Sequence, residues 1–219
     1  MLFRTLSEYS ILLPILAGII IFKKANTLYR LLLFFLIYGF ITDLIVGNER
    51  ISYQTRFMIF QFYPLIETIV LLWFMLKINL DSKLEKACKL MIIVLPLFWI
   101  YCHAVSYDNT EGFKRMHSVY NSTYTLTISI FAGFALLKLS EKNSNLGSLP
   151  LFWFLLTIFI NCFCNFFIKN LMDASFLKKV WYLTNIINIL CYITLAIGYF
   201  LIRRYEEKPL ILKNSSDFS

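Results

Sequence analysis

Four ionisable side chains fall inside long apolar stretches: Glu8, Asp43, Glu67 and His103. In a bilayer such groups are costly, and they mark proton relays, ion sites or ligand counter-ions. Glu67 stands out. It lies about ten residues into its apolar run, too deep to reach a headgroup, whereas Glu8, Asp43 and His103 sit within about a turn of their run's end and could simply touch the interface. No Lys or Arg lies deep in any of these runs. Glu67 must therefore be protonated, hydrogen-bonded by Asn, Tyr or Thr, or neutralised by a bound cation.

Polar residues at helical spacing accompany it. Gln61, Pro64, Glu67 and Thr68 fall on one helical face, as do Asn121, Thr125 and Ser129 with Tyr124 alongside. Thr157, Asn161 and Asn165 form a third stripe, and Thr184, Asn185, Asn188 and Tyr192 a fourth. Taken singly, each Asn or Thr reads as interhelical glue. Taken together, four stripes at similar depth predict a shared polar cavity in the outer half of a bundle, because polar atoms facing lipid would be unsatisfied. The candidate ligand or ion site comprises Glu67, Asn161, Asn165, Asn185, Asn188, Asp43, Asn121, Tyr124 and Gln61.

Several chemistries are excluded. The last apolar run has no Lys, so no retinal Schiff base forms there, and two histidines cannot assemble a three-His zinc site. No GxSxG, HExxH or phosphate-binding loop occurs. The five cysteines lie in or beside apolar runs without CxxC spacing and read as small core residues. No cofactor, metal or catalytic residue is expected.

The elements that must position these side chains follow from composition. The 219 residues are 59% hydrophobic and only 16% charged, far from the 25% or so of charged residues in a soluble domain. A soluble enzyme, a disordered chain and a disulfide scaffold are excluded. Seven runs approach the roughly 20 apolar residues of a spanning helix: near 6–22, 29–46, 57–76, 88–105, 119–137, 149–168 and 181–202. The expectation is an all-α, integral membrane seven-helix bundle over residues 1–202 with a short cytoplasmic tail, 203–219; the fifth run, polar over Asn121–Thr125, is the weakest, and six spans with a surface segment is the alternative. The first run lacks a small-residue cleavage site and has its stronger positive flank, Lys23-Lys24, after it, so it reads as a span and not a signal peptide. The connecting segments are too short for a soluble catalytic or DNA-binding domain.

The net charge of +8 is spread in short clusters between the runs, as membrane loops carry it. It suits anionic headgroups and not direct nucleic-acid binding. An outside N-terminus places thirteen of the 21 Lys and Arg on the cytoplasmic side, which favours N-out, C-in.

The segments Leu6-Ser-Glu-Tyr-Ser-Ile-Leu-Leu-Pro14, Tyr63-Pro-Leu-Ile-Glu67-Thr, Pro150-Leu-Phe-Trp153 leading to Asn161, and Asn185-Ile-Ile-Asn188 together resemble an uncharacterised family of small seven-helix membrane proteins from low-GC, Bacteroidetes-type bacteria. The resemblance implies a seven-helix inner-membrane fold and carries no activity. The functional expectation is a non-enzymatic receptor or regulatory subunit of the inner membrane, holding a small ligand or lipid and acting through a protein partner. The alternatives are a channel, transporter or membrane-acting accessory of a phage-defence (CRISPR-type) system, with Glu67 as ion or proton site, and an intramembrane lipid enzyme.

Overall fold

Pro14 decides how the chain starts. Proline has no N–H, and its ring crowds the carbonyl four residues back, so a helix is interrupted just ahead of it. In the computed structural model, which describes residues 2–78, 80–105, 110–171 and 181–204, α1 (Leu2–Ser10) and α2 (Leu12–Ile21) meet at Ile11. Ile11 keeps a right-handed backbone, φ −60° and ψ −23°, so the joint is a hinge in direction more than an end. The Ile15 N–H reaches the Ile11 carbonyl only at 3.4 Å, and the Ser10 hydroxyl donates back to the Ser7 carbonyl at 2.7 Å. The first predicted span is thus a jointed pair, and its apolar stretch, Thr5–Ile21, is shorter than the others.

Among the described residues, six helices are long and apolar enough to cross a membrane. They are α3 (Thr27–Gly47), α4 (Tyr53–Ile78), α5 (Ser82–Val105), α6 (Thr110–Lys142), α7 (Pro150–Leu171) and α8 (Trp181–Arg204). No strand occurs among the described residues. Local chemistry sets their starts. The Asn26 side chain accepts the Tyr29 N–H at 3.1 Å to cap α3. The Asp81 carboxylate accepts the N–H groups of Lys83 at 2.7 Å and Leu84 at 3.2 Å to cap α5. Pro150 takes the first position of α7, where its missing N–H costs nothing. Pro64 and Pro96 lie inside α4 and α5, which continue through them; in lipid a helix that bridges a proline keeps more backbone groups satisfied than one that stops.

From α2 onward each helix packs on its sequence neighbours, and α8 closes the ring onto α1 and α2, while α4 also reaches α6 across the interior. Three aromatic rings tie α3, α7 and α8 together. Tyr29 stacks on Phe154 at 4.8 Å, Phe154 meets Tyr199 edge-on at 4.9 Å, and the Tyr199 hydroxyl donates to the Tyr29 carbonyl at 3.1 Å. Gly198 permits the approach, since a Cβ there would stand 3.0 Å from Phe154 Cε2. Outside the ring, Leu16, Ile20, Ile93, Leu97, Ile100 and Leu190 are exposed, an apolar surface that suits bilayer contact. The chain is an all-helical, multi-pass membrane bundle.

One end of the bundle carries Lys23, Lys24, Lys77, Lys83 and Lys142. There Arg30 donates to the Phe22 carbonyl at 3.0 Å with its guanidinium over the Phe22 ring, and the Lys142 ammonium donates to the Leu80 carbonyl at 2.8 Å. Of the charges used to orient the chain, Lys178, Lys179 and residues 205–219 lie outside the described residues, as do the side chains of Arg4, Lys114, Arg115, Lys169 and Arg204.

Candidate functional site

Glu67 is the fifteenth of the 26 residues of α4, at its middle. It is buried, 9% exposed. A partner comes from α6, where the Tyr124 hydroxyl donates to Glu67 Oε2 at 2.7 Å. One turn earlier on α6, the Tyr120 hydroxyl donates to Thr68 Oγ1 at 3.0 Å, and Thr68 in turn donates to the Pro64 carbonyl at 2.6 Å. Two tyrosines at i, i+4 thus read two adjacent residues of α4, with ring centroids 5.5 Å apart.

Beside Glu67 the helices leave a cavity of about 90 Å³. A single water needs roughly 10–15 Å³ by this measure, so the space admits several waters or a group of a few heavy atoms. Its polar wall is Tyr63 and Glu67 from α4, Thr157 and Asn161 from α7, and Asn188 and Tyr192 from α8. Its apolar wall includes Leu32, Phe35 and Leu36 of α3, Leu71, Ile158 and Leu195. Ile11, at the joint of α1 and α2, also lines it.

The polar wall is braced. Tyr63 stacks against Tyr38 at 5.9 Å and Phe35 at 6.0 Å, and Gly39 makes room for it, because a Cβ there would stand 3.3 Å from the Tyr63 hydroxyl. Asn165 donates to Asn161 Oδ1 at 2.9 Å. The hydroxyls of Thr157 and Thr194 lie 2.6 Å apart and tie α7 to α8. Cys162 and Cys191 lie on the same wall.

Of the residues expected from sequence, Glu67, Asn161 and Asn188 line this one cavity. Tyr124 reaches it through Glu67, and Asn165 through Asn161. The others are not on its wall. Asp43 is exposed, one turn beyond Gly39. Gln61 is half-buried, with its backbone carbonyl 3.4 Å from the Trp99 indole N–H. Asn185 is half-buried, and Asn121 is buried with no hydrogen-bond partner for Oδ1 among the described residues. The cavity also lies nearer the helix midpoints than the outer half, because the wall is set by Glu67 and by Asn188 to Leu195, well inside α4 and α8.

Thr157 and Tyr192 share the helical stripes of Asn161 and Asn188 in the sequence but were not among the expected site residues, and Tyr63, four residues before Glu67, was on no expected stripe although its spacing puts it on that face. Among the described residues, no three of His, Cys, Asp and Glu gather as a metal site. No family model, curated protein or solved structure matches this chain.

Proposed function

We propose that the chain is a seven-helix inner-membrane receptor or regulatory subunit that holds a small ligand in the Glu67 cavity and conveys its occupancy to a protein partner. The observation that carries this reading is the wall itself: a mid-helix carboxylate, two amides and three hydroxyls from α4, α7 and α8, facing a space large enough for a small group. Pockets of this composition, mostly apolar with a few convergent polar groups, are the usual form of a small-molecule site. The seventh span in this reading is the jointed pair α1–α2, whose short apolar stretch the bilayer meets by thinning around it. The loop charges support an outside N-terminus and a cytoplasmic tail.

The test is native mass spectrometry of protein extracted gently from its membrane. Wild type should carry an added small mass, and Leu36→Phe, which fills the cavity from its apolar side, should lose it. Equal spectra would overturn the reading.

One observation favours transport instead. Ile11 places the α1–α2 joint on the cavity wall, and interrupted helices line the substrate sites of many transporters. Flux of ions or protons through proteoliposomes that disappears in Glu67→Gln would replace the receptor reading with that one.

A further inference from the structure

The chemistry of the wall narrows what the cavity can take. Glu67 is its one acidic side chain, and among the described residues no Lys, Arg or His lines it. An anion entering would meet a carboxylate and no counter-charge, in a low-dielectric space where that repulsion is strong. A cation would gain the same interaction with the opposite sign. Asn161 and Asn188 add amide groups, and Phe35, Tyr63 and Tyr192 add aromatic rings, a residue type that attracts cations.

The remaining wall decides between kinds of cation. A hard metal ion asks for six or more oxygen ligands around it, whereas Leu32, Leu36, Leu71, Ile158 and Leu195 line much of this space with hydrocarbon. A primary ammonium has three donors on one side, which ask for acceptors there, and no acceptor of its own. Its alkyl group would lie against the leucines while its head faces Glu67 and the two Asn. A volume of about 90 Å³ restricts the alkyl group to a few carbons.

We infer that the cavity binds a small primary alkylammonium ion with Glu67 as its counter-ion. This rests on the ligand-cavity reading above and names the ligand's class. Tyr124, by holding Oε2, fixes the carboxylate's orientation toward the space. Asn188 is a positioning contact for the head group.

The test uses the full chain in lipid nanodiscs, with thermal unfolding and calorimetry against ethylammonium chloride. Sodium chloride at equal ionic strength, acetamide and acetate serve as comparison probes. Ethylammonium should raise the melting temperature saturably. Glu67→Gln should weaken its binding by at least about tenfold, as expected when a charge-assisted contact is removed. Asn188→Ala, which leaves Glu67 and its Tyr124 bond in place, should weaken binding less while keeping the preference for the cation. A saturable, Glu67-dependent response to sodium equal to that of ethylammonium would assign an alkali-ion site and overturn the ammonium. Binding of acetamide or acetate in place of ethylammonium would overturn the ammonium too, while the ligand-cavity reading stands. No response to ethylammonium, with a co-purifying mass still lost in Leu36→Phe, would likewise remove only the ammonium; no response and no such mass removes both.

Discussion

The Tyr124 hydroxyl and Glu67 Oε2 stand 2.7 Å apart, joining two helices across 57 positions of sequence. This bond turns a solitary acid at mid-helix into a shared group. Glu67→Gln keeps an oxygen to accept it and should fold with near wild-type stability. Glu67→Leu leaves the Tyr124 hydroxyl buried without its acceptor and should cost about 1–3 kcal/mol. Tyr124→Phe should cost about 1 kcal/mol, the usual scale of interhelical bonds in lipid. A double-mutant cycle on positions 67 and 124, read by unfolding in detergent, checks the coupling. A Leu variant as stable as wild type would show that the bond contributes nothing.

Gly198 is predicted to be intolerant of any side chain. Phe154, which a Cβ would meet at 3.0 Å, is held by Tyr29 on one side and Tyr199 on the other. It has nowhere to yield, so Gly198→Ala should cost about 1–3 kcal/mol as an overpacked contact, seen as a lower melting temperature. Gly39→Ala is the milder case. Its neighbour is the free end of Tyr63 at 3.3 Å, so the expected result is a displaced Tyr63 and altered ligand response, with a smaller loss of stability.

Pro14→Ala should mend the joint between α1 and α2. Alanine restores an N–H that can reach the Ser10 carbonyl and removes the ring that crowds it. Hydrogen–deuterium exchange over residues 11–16 should slow. Unchanged exchange would assign the joint to packing of the buried Ile11 and Ser10 and not to proline.

Asp81 supplies a pH test away from the apolar spans. The N–H groups of Leu84 and Lys83 hold its carboxyl below the usual carboxylate range. A depressed carboxyl contributes stability in full above its unfolded value, about pH 3.9, and that contribution is lost as the pH falls through its lower folded value. Asp81→Asn retains a capping oxygen and should remove this acid dependence while preserving α5 at neutral pH. Asp81→Ala should lower the melting temperature at neutral pH. Identical pH profiles for wild type and Asp81→Asn would dismiss the cap as a titrating element.

Orientation is tested by a reporter fused after Ser219, which should behave as cytoplasmic. A periplasmic signal there would reverse the bundle and place Asn48 and Ser52, at the loop between α3 and α4, on the cytoplasmic side.

The helices were legible because apolar length is a direct signal of membrane crossing. The predicted edges fell short where charged or polar residues continue the helix past the hydrocarbon: α5 begins at Ser82 where the apolar run begins near Cys88, and α6 extends to Thr110 and Lys142. Pro14 was visible, but whether it would interrupt its helix was not, because Pro64 and Pro96 are carried through by longer helices. In the candidate site, periodicity put Glu67, Asn161 and Asn188 on faces able to meet. It could not say how far each helix is turned, and that rotation leaves Asp43 exposed and Asn185 off the wall. Which tyrosine would reach Glu67 was equally hidden, since a contact across 57 positions depends on how α4 and α6 cross the ring.

The closing of the ring by α8 has a bearing on biosynthesis. A nascent chain leaves the ribosome in order, so α1 and α2 are made long before the α8 surface they pack on. The Tyr199 hydroxyl that reaches the Tyr29 carbonyl arrives 170 residues after it. Until then the early helices are without that contact, as Glu67 is without Tyr124 until α6 is made. Completion of this ring therefore waits on α8, however the earlier helices are arranged before it is made.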